Sequence, residues 1–177
     1  EGHAVVGRED LAYLSHAYGI AQRVHRPRPL NYLILVPTLR CNLACSYCQV
    51  SRAPEDQRGF DWSEETLAAV LRLIDSAPGP ALKIEFQGGE PLLRTDLIEQ
   101  VISHAAHRFP AATFVICTNL SRLDEAAWRL IARPDVFVST SLDGDQATHQ
   151  QNRTGSAGET SAFLTNLCAV LSAFGPE

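Results

Sequence analysis

The sequence predicts an α/β protein that folds as a partial (β/α) barrel with parallel strands. Two observations lead to this prediction. Four short apolar runs alternate with segments whose apolar residues recur at helical spacing, and this order is typical of a parallel sheet with right-handed helical crossovers. Each run is also followed by a cysteine-rich, glycine-rich or polar segment, and the sites of such folds lie at the carboxyl ends of the strands.

The first 30 residues are predicted to be an N-terminal extension. Some of its apolar residues have the spacing of one short helical face: Leu11, Leu14, Tyr18 and Val24. Pro27 and Pro29 then end any helix, because proline lacks the amide donor and restricts φ. The expected domains are therefore residues 1–30, the extension, and residues 31–177, the α/β core.

The first strand–helix unit starts at residue 32. Residues 32–36 are continuously apolar, as in a strand buried on both faces. Residues 49–62 are polar and are expected to form a loop. Ser63 is expected to cap a helix, with Glu64 and Glu65 in its first turn, and a Pro-Gly-Pro segment stops that helix.

The remaining units repeat this order. Strands are predicted at 81–86, 113–117 and 136–141, and helices at about 96–108 and 124–132. A polar, glycine-containing loop is expected from 142 to about 158. The last helix carries a regular apolar face and stops at Gly175; that face is Phe163, Leu167, Val170, Leu171 and Phe174.

The composition limits the classes of function. Of the 177 residues, 45% are hydrophobic, which suffices for one domain with a core. The net charge of −5 argues against a broad nucleic-acid surface, and no apolar run approaches the roughly 20 residues of a membrane span. No signal peptide is visible, and the cysteine usage suggests a reducing compartment. We therefore expect a cytoplasmic protein with no nucleic-acid or membrane partner.

Three cysteines follow the first strand in the order Cys-Asn-Leu-Ala-Cys-Ser-Tyr-Cys. They are Cys41, Cys45 and Cys48. Iron–sulfur clusters usually take four cysteines, so three thiolates on one loop would leave one iron of a cubane cluster open for chemistry. The alternatives are a zinc site or three unrelated thiols, but structural zinc sites use four protein ligands, usually in two pairs.

The second strand is followed by Gln-Gly-Gly-Glu-Pro. Gly88 and Gly89 allow the backbone to approach a ligand closely, and Glu90 offers a carboxylate that can pair with an ammonium group. Pro91 completes the segment. An ordinary turn before a helix is the alternative interpretation.

The third and fourth strands end at Asn119 and at Ser-Leu-Asp-Gly. Asn119 is a candidate ligand residue, although a turn role is equally compatible with its type. Asp143 with its following glycine is also a plain turn signal. The long loop beyond it carries Arg153, whose guanidinium fork suits a carboxylate, and His149, which is expected to lie on the surface.

These motifs together resemble the radical S-adenosylmethionine (SAM) superfamily. The resemblance implies a 4Fe–4S cluster on the three cysteines, with SAM chelating the free iron and being cleaved reductively to a 5′-deoxyadenosyl radical. It implies that Tyr47 lies beside the adenine and that Gly-Gly-Glu-Pro holds the methionine amino group. It also places Ser141 near the SAM carboxylate or ribose and pairs Arg153 with that carboxylate.

Within the superfamily, the chain is most similar to peptide and protein maturases such as anaerobic sulfatase-maturing enzymes. The segments flanking the cysteines, 35–41 and 48–53, resemble the maturase of the His-Xaa-Ser system. This implies a peptide or protein substrate and an electron donor such as flavodoxin or ferredoxin. Four of the six strand–helix units of a radical SAM core are visible, and the cysteine-rich domain that such maturases carry after the core is not seen in the sequence, so we expect the N-terminal part of a larger catalytic core.

Other side chains carry weaker expectations. Cys117 and Cys168 are expected to be buried as small hydrophobes, and no catalytic general base stands out. Arg40 and Lys83 are expected to add positive charge near the cluster. His104 and His107 are three residues apart on one helix but are expected to be solvated. The alternative functions are a non-catalytic metal- or peptide-binding module, or an inactive fragment of the enzyme.

Overall fold

A computed structural model describes residues 11–25 and 29–175 of the chain. The chain divides into two compact units between Leu30 and Asn31. Within the first unit, Leu11–His25 forms helix α1; the predicted stop at Pro27 lies outside the described residues. No helix among the described residues combines the length and the apolar character needed to cross a bilayer.

The second unit is built on a four-stranded parallel sheet in the order β1-β4-β5-β6. These strands are Tyr32–Leu35, Lys83–Phe86, Thr113–Cys117 and Val136–Ser139. The predicted fold class, a partial (β/α) barrel with parallel strands, is confirmed. The fourth strand ends two residues earlier than predicted, which leaves Ser141 in the loop beyond it.

Helices follow the strands as the periodicity predicted. They are α2 (Glu64–Ser76), α3 (Thr95–Arg108), α4 (Glu125–Ile131) and α6 (Ala157–Phe174). Ser63 caps α2 by accepting the Thr66 N–H at 3.2 Å, as expected for that residue type. A 3₁₀ turn, Pro91–Arg94, precedes α3.

One face of the sheet forms the core against the helices. Its central row pairs Leu33, Ile84, Phe114 and Val136 across the four strands, and all four side chains are buried. Burial of such a row is the main favourable term in folding. The core therefore fixes the strand register, and with it the relative positions of the four strand ends.

Two segments predicted as loops contain regular structure. Within 49–62, β3 (Ala53–Pro54) pairs in parallel with β2 (Arg40–Cys41). Within 142–158, Asp145 accepts the Thr148 N–H at 2.8 Å and caps helix α5 (Gln146–His149), which continues into the π-helical turn Gln150–Thr154. The loop prediction for 142–158 is wrong because this cap nucleates a helix that hydrophobic periodicity does not reveal.

Candidate functional site

The carboxyl ends of the strands surround a cavity of about 540 Å³, here called the strand-end cavity. Nine of the twelve predicted site residues line it: Cys41, Cys45, Tyr47, Cys48, Gly88, Gly89, Asn119, Ser141 and Arg153. The other three, Glu90, Pro91 and Asp143, do not line it. The four strand-end segments therefore converge on one space.

The cysteine loop starts in the β2–β3 ladder and is anchored by the buried Leu43. The Cys41 sulfur accepts the Leu43 N–H at 3.4 Å and lies 3.8 Å from Asn119 Nδ2. Burial raises the pKa of the Cys41 thiol, and these N–H donors partly offset the rise. Burial also raises the pKa of Cys45, against the opposing charge of Arg153.

The donor set fits an iron–sulfur cluster better than a single ion. Among residues 11–25 and 29–175, no three His, Cys, Asp or Glu side chains form a group that could hold a metal ion. The iron atoms of a cubane occupy separate corners, so the thiolates that hold it lie farther apart than the ligands of one ion. Three thiols line the strand-end cavity, and the Cys41 sulfur has N–H donors that suit a thiolate, so the residues present are of the type that holds such a cluster.

The two glycines pack against the chain that leads into the first cysteine. Gly89 N–H donates to the Thr38 carbonyl at 3.1 Å, and Glu90 N–H donates to the Arg40 carbonyl at 2.8 Å. A Cβ on Gly89 would overlap the Arg40 carbonyl, and Gly88 has φ of 127°. Glycine is required here because the end of β4 is fastened directly to the base of the cysteine loop.

Glu90 is buried, with 4% of its surface exposed. One carboxylate oxygen accepts the Leu92 N–H at 3.0 Å and the other accepts the Asn119 N–H at 2.8 Å. Burial raises the pKa of this carboxyl, and the two N–H groups partly offset the rise. The carboxylate thus joins the ends of β4 and β5; its predicted pairing with an ammonium group of SAM stays a prediction. Pro91 begins the 3₁₀ turn and is buried.

Asn119 occupies a turn in which the next residue, Leu120, has φ of 52°. Leu120 thus adopts the left-handed backbone conformation that glycine favours, although it carries a side chain. Thr118 Oγ1 accepts the Leu120 N–H at 3.1 Å, and the Leu120 carbonyl accepts Asn166 Nδ2 at 2.8 Å. These contacts hold the strained turn and keep Asn119 in the cavity wall.

Tyr47, Asp143 and Arg153 form one hydrogen-bonded group. The Tyr47 hydroxyl donates to Asp143 Oδ1 at 2.8 Å and accepts Arg153 Nη1 at 2.7 Å. Burial opposes ionisation of Asp143, but hydrogen bonds from Tyr47 and Asn152 and the Arg153 charge bring its pKa below the usual range. The Ser46 N–H also donates to the Asn152 carbonyl at 2.8 Å. The π-helical turn is thereby tied to the cysteine loop.

His149 is buried, with 1% of its surface exposed, so the surface prediction is wrong. Its ring stacks on Phe163 at 4.2 Å between centroids, and Nδ1 accepts the Asp143 N–H at 3.3 Å. No partner for Nε2 exists among the described residues. The capped helix α5 turns this side chain inward, which a loop would not do.

The positive charge that Arg40 and Lys83 were expected to add near the three cysteines is only partly present. Arg40 is half-buried but directs its guanidinium to Asp61, at 2.8 Å. Lys83 starts β4 and lies over the Tyr32 ring at 5.3 Å. The expectation for Lys83 is wrong, because the start of a parallel strand lies at the edge opposite its carboxyl end.

The two remaining cysteines differ from expectation, whereas His104 agrees with it. Cys117 lines the strand-end cavity and is half-buried, and Cys168 is exposed, so neither is a fully buried hydrophobe. Burial and the neighbouring Glu85 raise the pKa of Cys117 to about 11. His104 pairs with Asp75 at 2.8 Å, in agreement with a solvated role.

Several cavity residues were missed by the sequence reasoning. They are Gln49, Arg52, Gln87, Cys117, Thr118, Ser139 and Thr140. Most directly flank a predicted strand end, so proximity to those ends was the signal that would have found them. Arg52 is different, because the β2–β3 ladder that brings it back to the cavity is too short to predict.

The chain is similar to known proteins of one superfamily. The radical SAM superfamily matches residues 35–170. A GTP 3′,8-cyclase of Rhodococcus opacus is 31% identical over 150 residues, which are 82% of this chain and 39% of that protein. A cysteine-type anaerobic sulfatase-maturating enzyme of Clostridium perfringens is 27% identical over 138 residues, 73% of this chain and 37% of that protein. The chain spans about two-fifths of the length of these curated relatives.

Solved structures show the same fold. The enzyme anSMEcpe with bound AdoMet aligns with a TM-score of 0.62 at 23% identity, over 80% of this chain and 41% of that one. The same enzyme with AdoMet and the Cp18Cys peptide aligns with a TM-score of 0.62 at 24% identity, over 82% of this chain and 40% of that one. The resemblance inferred from the cysteine and strand-end motifs is confirmed.

Proposed function

Because this chain belongs to the radical SAM superfamily, which uses a 4Fe–4S cluster and SAM, we propose that it serves the radical modification of a peptide or protein, of the His-Xaa-Ser maturase type. One observation carries the proposal. The three cysteines and the segments after the other three strands line the same strand-end cavity. A cluster held by the cysteines would therefore adjoin a space bounded by glycine backbone, amide, hydroxyl and guanidinium groups.

Different residues of the chain are proposed to hold the 4Fe–4S cluster and SAM. Cys41, Cys45 and Cys48 are proposed to hold the cluster as thiolates, with Leu43 and Asn119 donating to the Cys41 sulfur. When bound, the cluster supplies the electron that cleaves SAM to methionine and a 5′-deoxyadenosyl radical, so the hard chemistry belongs to the cofactors. The protein binds and orients them.

The SAM contacts follow from the other strand ends. Segment 88–91 is proposed to hold the methionine amino group, Arg153 the carboxylate, and Ser141 the carboxylate or the ribose. The Tyr47 ring is proposed to lie beside the adenine, since its hydroxyl is fixed by hydrogen bonds to Asp143 and Arg153. An aromatic face suits a base because stacking is tolerant of orientation.

Peptide modification is the proposed reaction because of the maturase relatives and the segments flanking the cysteines. The similarity to the sulfatase-maturating enzyme of Clostridium perfringens and to the peptide-bound anSMEcpe structure supports this reaction. We propose that an electron donor such as flavodoxin or ferredoxin reduces the cluster. Modification of a nucleotide is the second candidate, because the GTP 3′,8-cyclase relatives reach 31–36% identity.

Anaerobic reconstitution tests this proposal. Iron and sulfide content and the electron paramagnetic resonance of the reduced protein should report a 4Fe–4S cluster whose spectrum changes when SAM is added. Cys45→Ala should lose the cluster, and Cys168→Ala, which changes an exposed thiol, should keep it. One zinc per chain with no spectral response to SAM would instead support a non-catalytic metal-binding module.

A further inference from the structure

Arg52 lines the strand-end cavity, four residues beyond Cys48. Its backbone is held firmly on both sides. The Arg52 N–H donates to the Val50 carbonyl at 2.8 Å, and the following residue, Ala53, is buried and donates to the Leu39 carbonyl at 2.8 Å. The root of this long side chain is therefore fixed beside the cysteine loop.

Among the described residues, Arg52 is the one half-buried arginine whose guanidinium makes no hydrogen bond or ion pair. Five described arginines are half-buried: Arg40, Arg52, Arg94, Arg133 and Arg153. Arg40 pairs with Asp61, and Arg94 pairs with Asp61 and Asp96. Arg133 pairs with Asp135, and Arg153 pairs with Tyr47 and Asp143. No hydrogen bond or ion pair of the described residues uses the Arg52 guanidinium. A guanidinium beside a cavity that makes no hydrogen bond or ion pair among the described residues is available to bind an anion.

The cavity around Arg52 suits an anion. Of the described residues that line it, none is an aspartate or glutamate, and the two arginines are Arg52 and Arg153. Arg153 is already hydrogen-bonded to Tyr47 and lies 3.6 Å from Asp143. SAM has one carboxylate, and Arg153 is its proposed partner. The guanidinium of Arg52 is therefore available for a second carboxylate.

We infer that Arg52 binds a carboxylate of the peptide substrate at the cavity, so that the substrate carries an acidic residue near the modified position. This inference rests on the proposed peptide-modifying function and narrows its substrate class. A nucleoside triphosphate suits the cavity less well, because its several negative charges would face a single unpaired guanidinium.

Calorimetric binding of matched peptides to the reconstituted, SAM-loaded chain tests the inference. A panel of blocked Gly-His-Xaa-Ser-Gly peptides would place one Glu before, between or after the His and Ser, each with a Gln counterpart. For at least one pair, we expect the Glu peptide to bind about tenfold more tightly, the strength of one charged hydrogen-bonded pair. Arg52→Gln should bring that ratio close to one, and Arg52→Lys should keep part of it, since lysine lacks the fork.

Arg58→Gln is the matched control. Arg58 lies on the same segment but is exposed and does not line the cavity, so its loss should leave the ratio unchanged. The inference is overturned if no Glu preference exists in the parent chain, or if the preference survives Arg52→Gln. It is also overturned if Arg52→Gln weakens only SAM binding, or only the binding of a fluorescent GTP analogue. Failure of the proposed function would show separately, as a cluster that does not respond to SAM or as a parent chain that binds none of the peptides, with either Glu or Gln.

Discussion

The carboxylate of Glu90 accepts the backbone N–H of Asn119 at 2.8 Å, and this bond joins the ends of two neighbouring strands inside the protein. Its second oxygen holds the Leu92 N–H. Asn119 in turn reaches the Cys41 sulfur. A buried carboxylate thus positions an amide that contacts the proposed cluster ligand.

Glu90→Gln should lower the free energy of unfolding by about 1–3 kcal/mol, because an amide nitrogen would face a buried N–H donor. Urea unfolding of the cluster-free chain measures this. Glu99→Gln, at an exposed glutamate of α3, is the control and should be close to neutral. Equal stability of the two variants would contradict the structural role of Glu90.

Gly89→Ala should destabilise the chain by about 1–3 kcal/mol, the usual range for forced overpacking. Its Cβ would overlap the backbone at Arg40, and neither backbone can yield without breaking the bonds that fasten β4 to the cysteine loop. Thermal unfolding is the measurement. Gly158→Ala, in α6 with no atom within 4 Å of the new Cβ, should be neutral or stabilising. A Gly89 variant as stable as that control would argue against the close approach.

The Tyr47 ring and hydroxyl can be separated by substitution. If the ring lies beside the adenine, Tyr47→Ala should weaken SAM binding about tenfold, the value of one stacked base. Tyr47→Phe should retain most of the affinity, because it loses only the bonds to Asp143 and Arg153. Spectroscopic titration of the reconstituted cluster with SAM gives both values. A Phe variant as weak as the Ala variant would show that the hydroxyl, rather than the ring, supports binding.

His149 should make stability dependent on pH. Burial lowers the pKa of its imidazole below 6.5, the neighbouring Arg153 lowers it further, and Asp143 opposes the shift. The unfolded chain therefore takes up the proton more readily than the folded chain does. The stability contributed by neutral His149 is complete above pH 6.5 and is lost as pH falls toward the lower folded pKa.

His149→Phe should reduce this loss of stability below pH 6.5, because it keeps a ring on Phe163 and removes the titration. Urea unfolding at a series of pH values is the measurement. His107→Ala, at an exposed histidine of α3, should leave the slope as it is in the parent chain. An unchanged slope in His149→Phe would mean that other groups carry the pH dependence.

The sequence predicted the sheet, the helices and the cavity lining where short-range patterns suffice. Apolar runs define strands whatever surrounds them, and the spacing of Cys41, Cys45 and Cys48 is itself local. The predictions from sequence for His149 and Lys83 were wrong, for different reasons. The inward direction of His149 depends on a helix that one capping residue starts, and the position of Lys83 depends on which end of a strand reaches the site.

Fold class and superfamily were thus determined by sequence alone, because periodicity and motif spacing are properties of the chain, and the three cluster ligands stay a prediction from that spacing. Which side chain meets which was decided by the tertiary structure. Glu90 turns away from the cavity to hold Asn119, Tyr47 meets Arg153 across 106 residues of sequence, and Arg52 lines the cavity without a partner among the described residues. These relationships arise only when parallel strands bring their ends together, since hydrogen bonds and burial depend on distance in space and not along the chain.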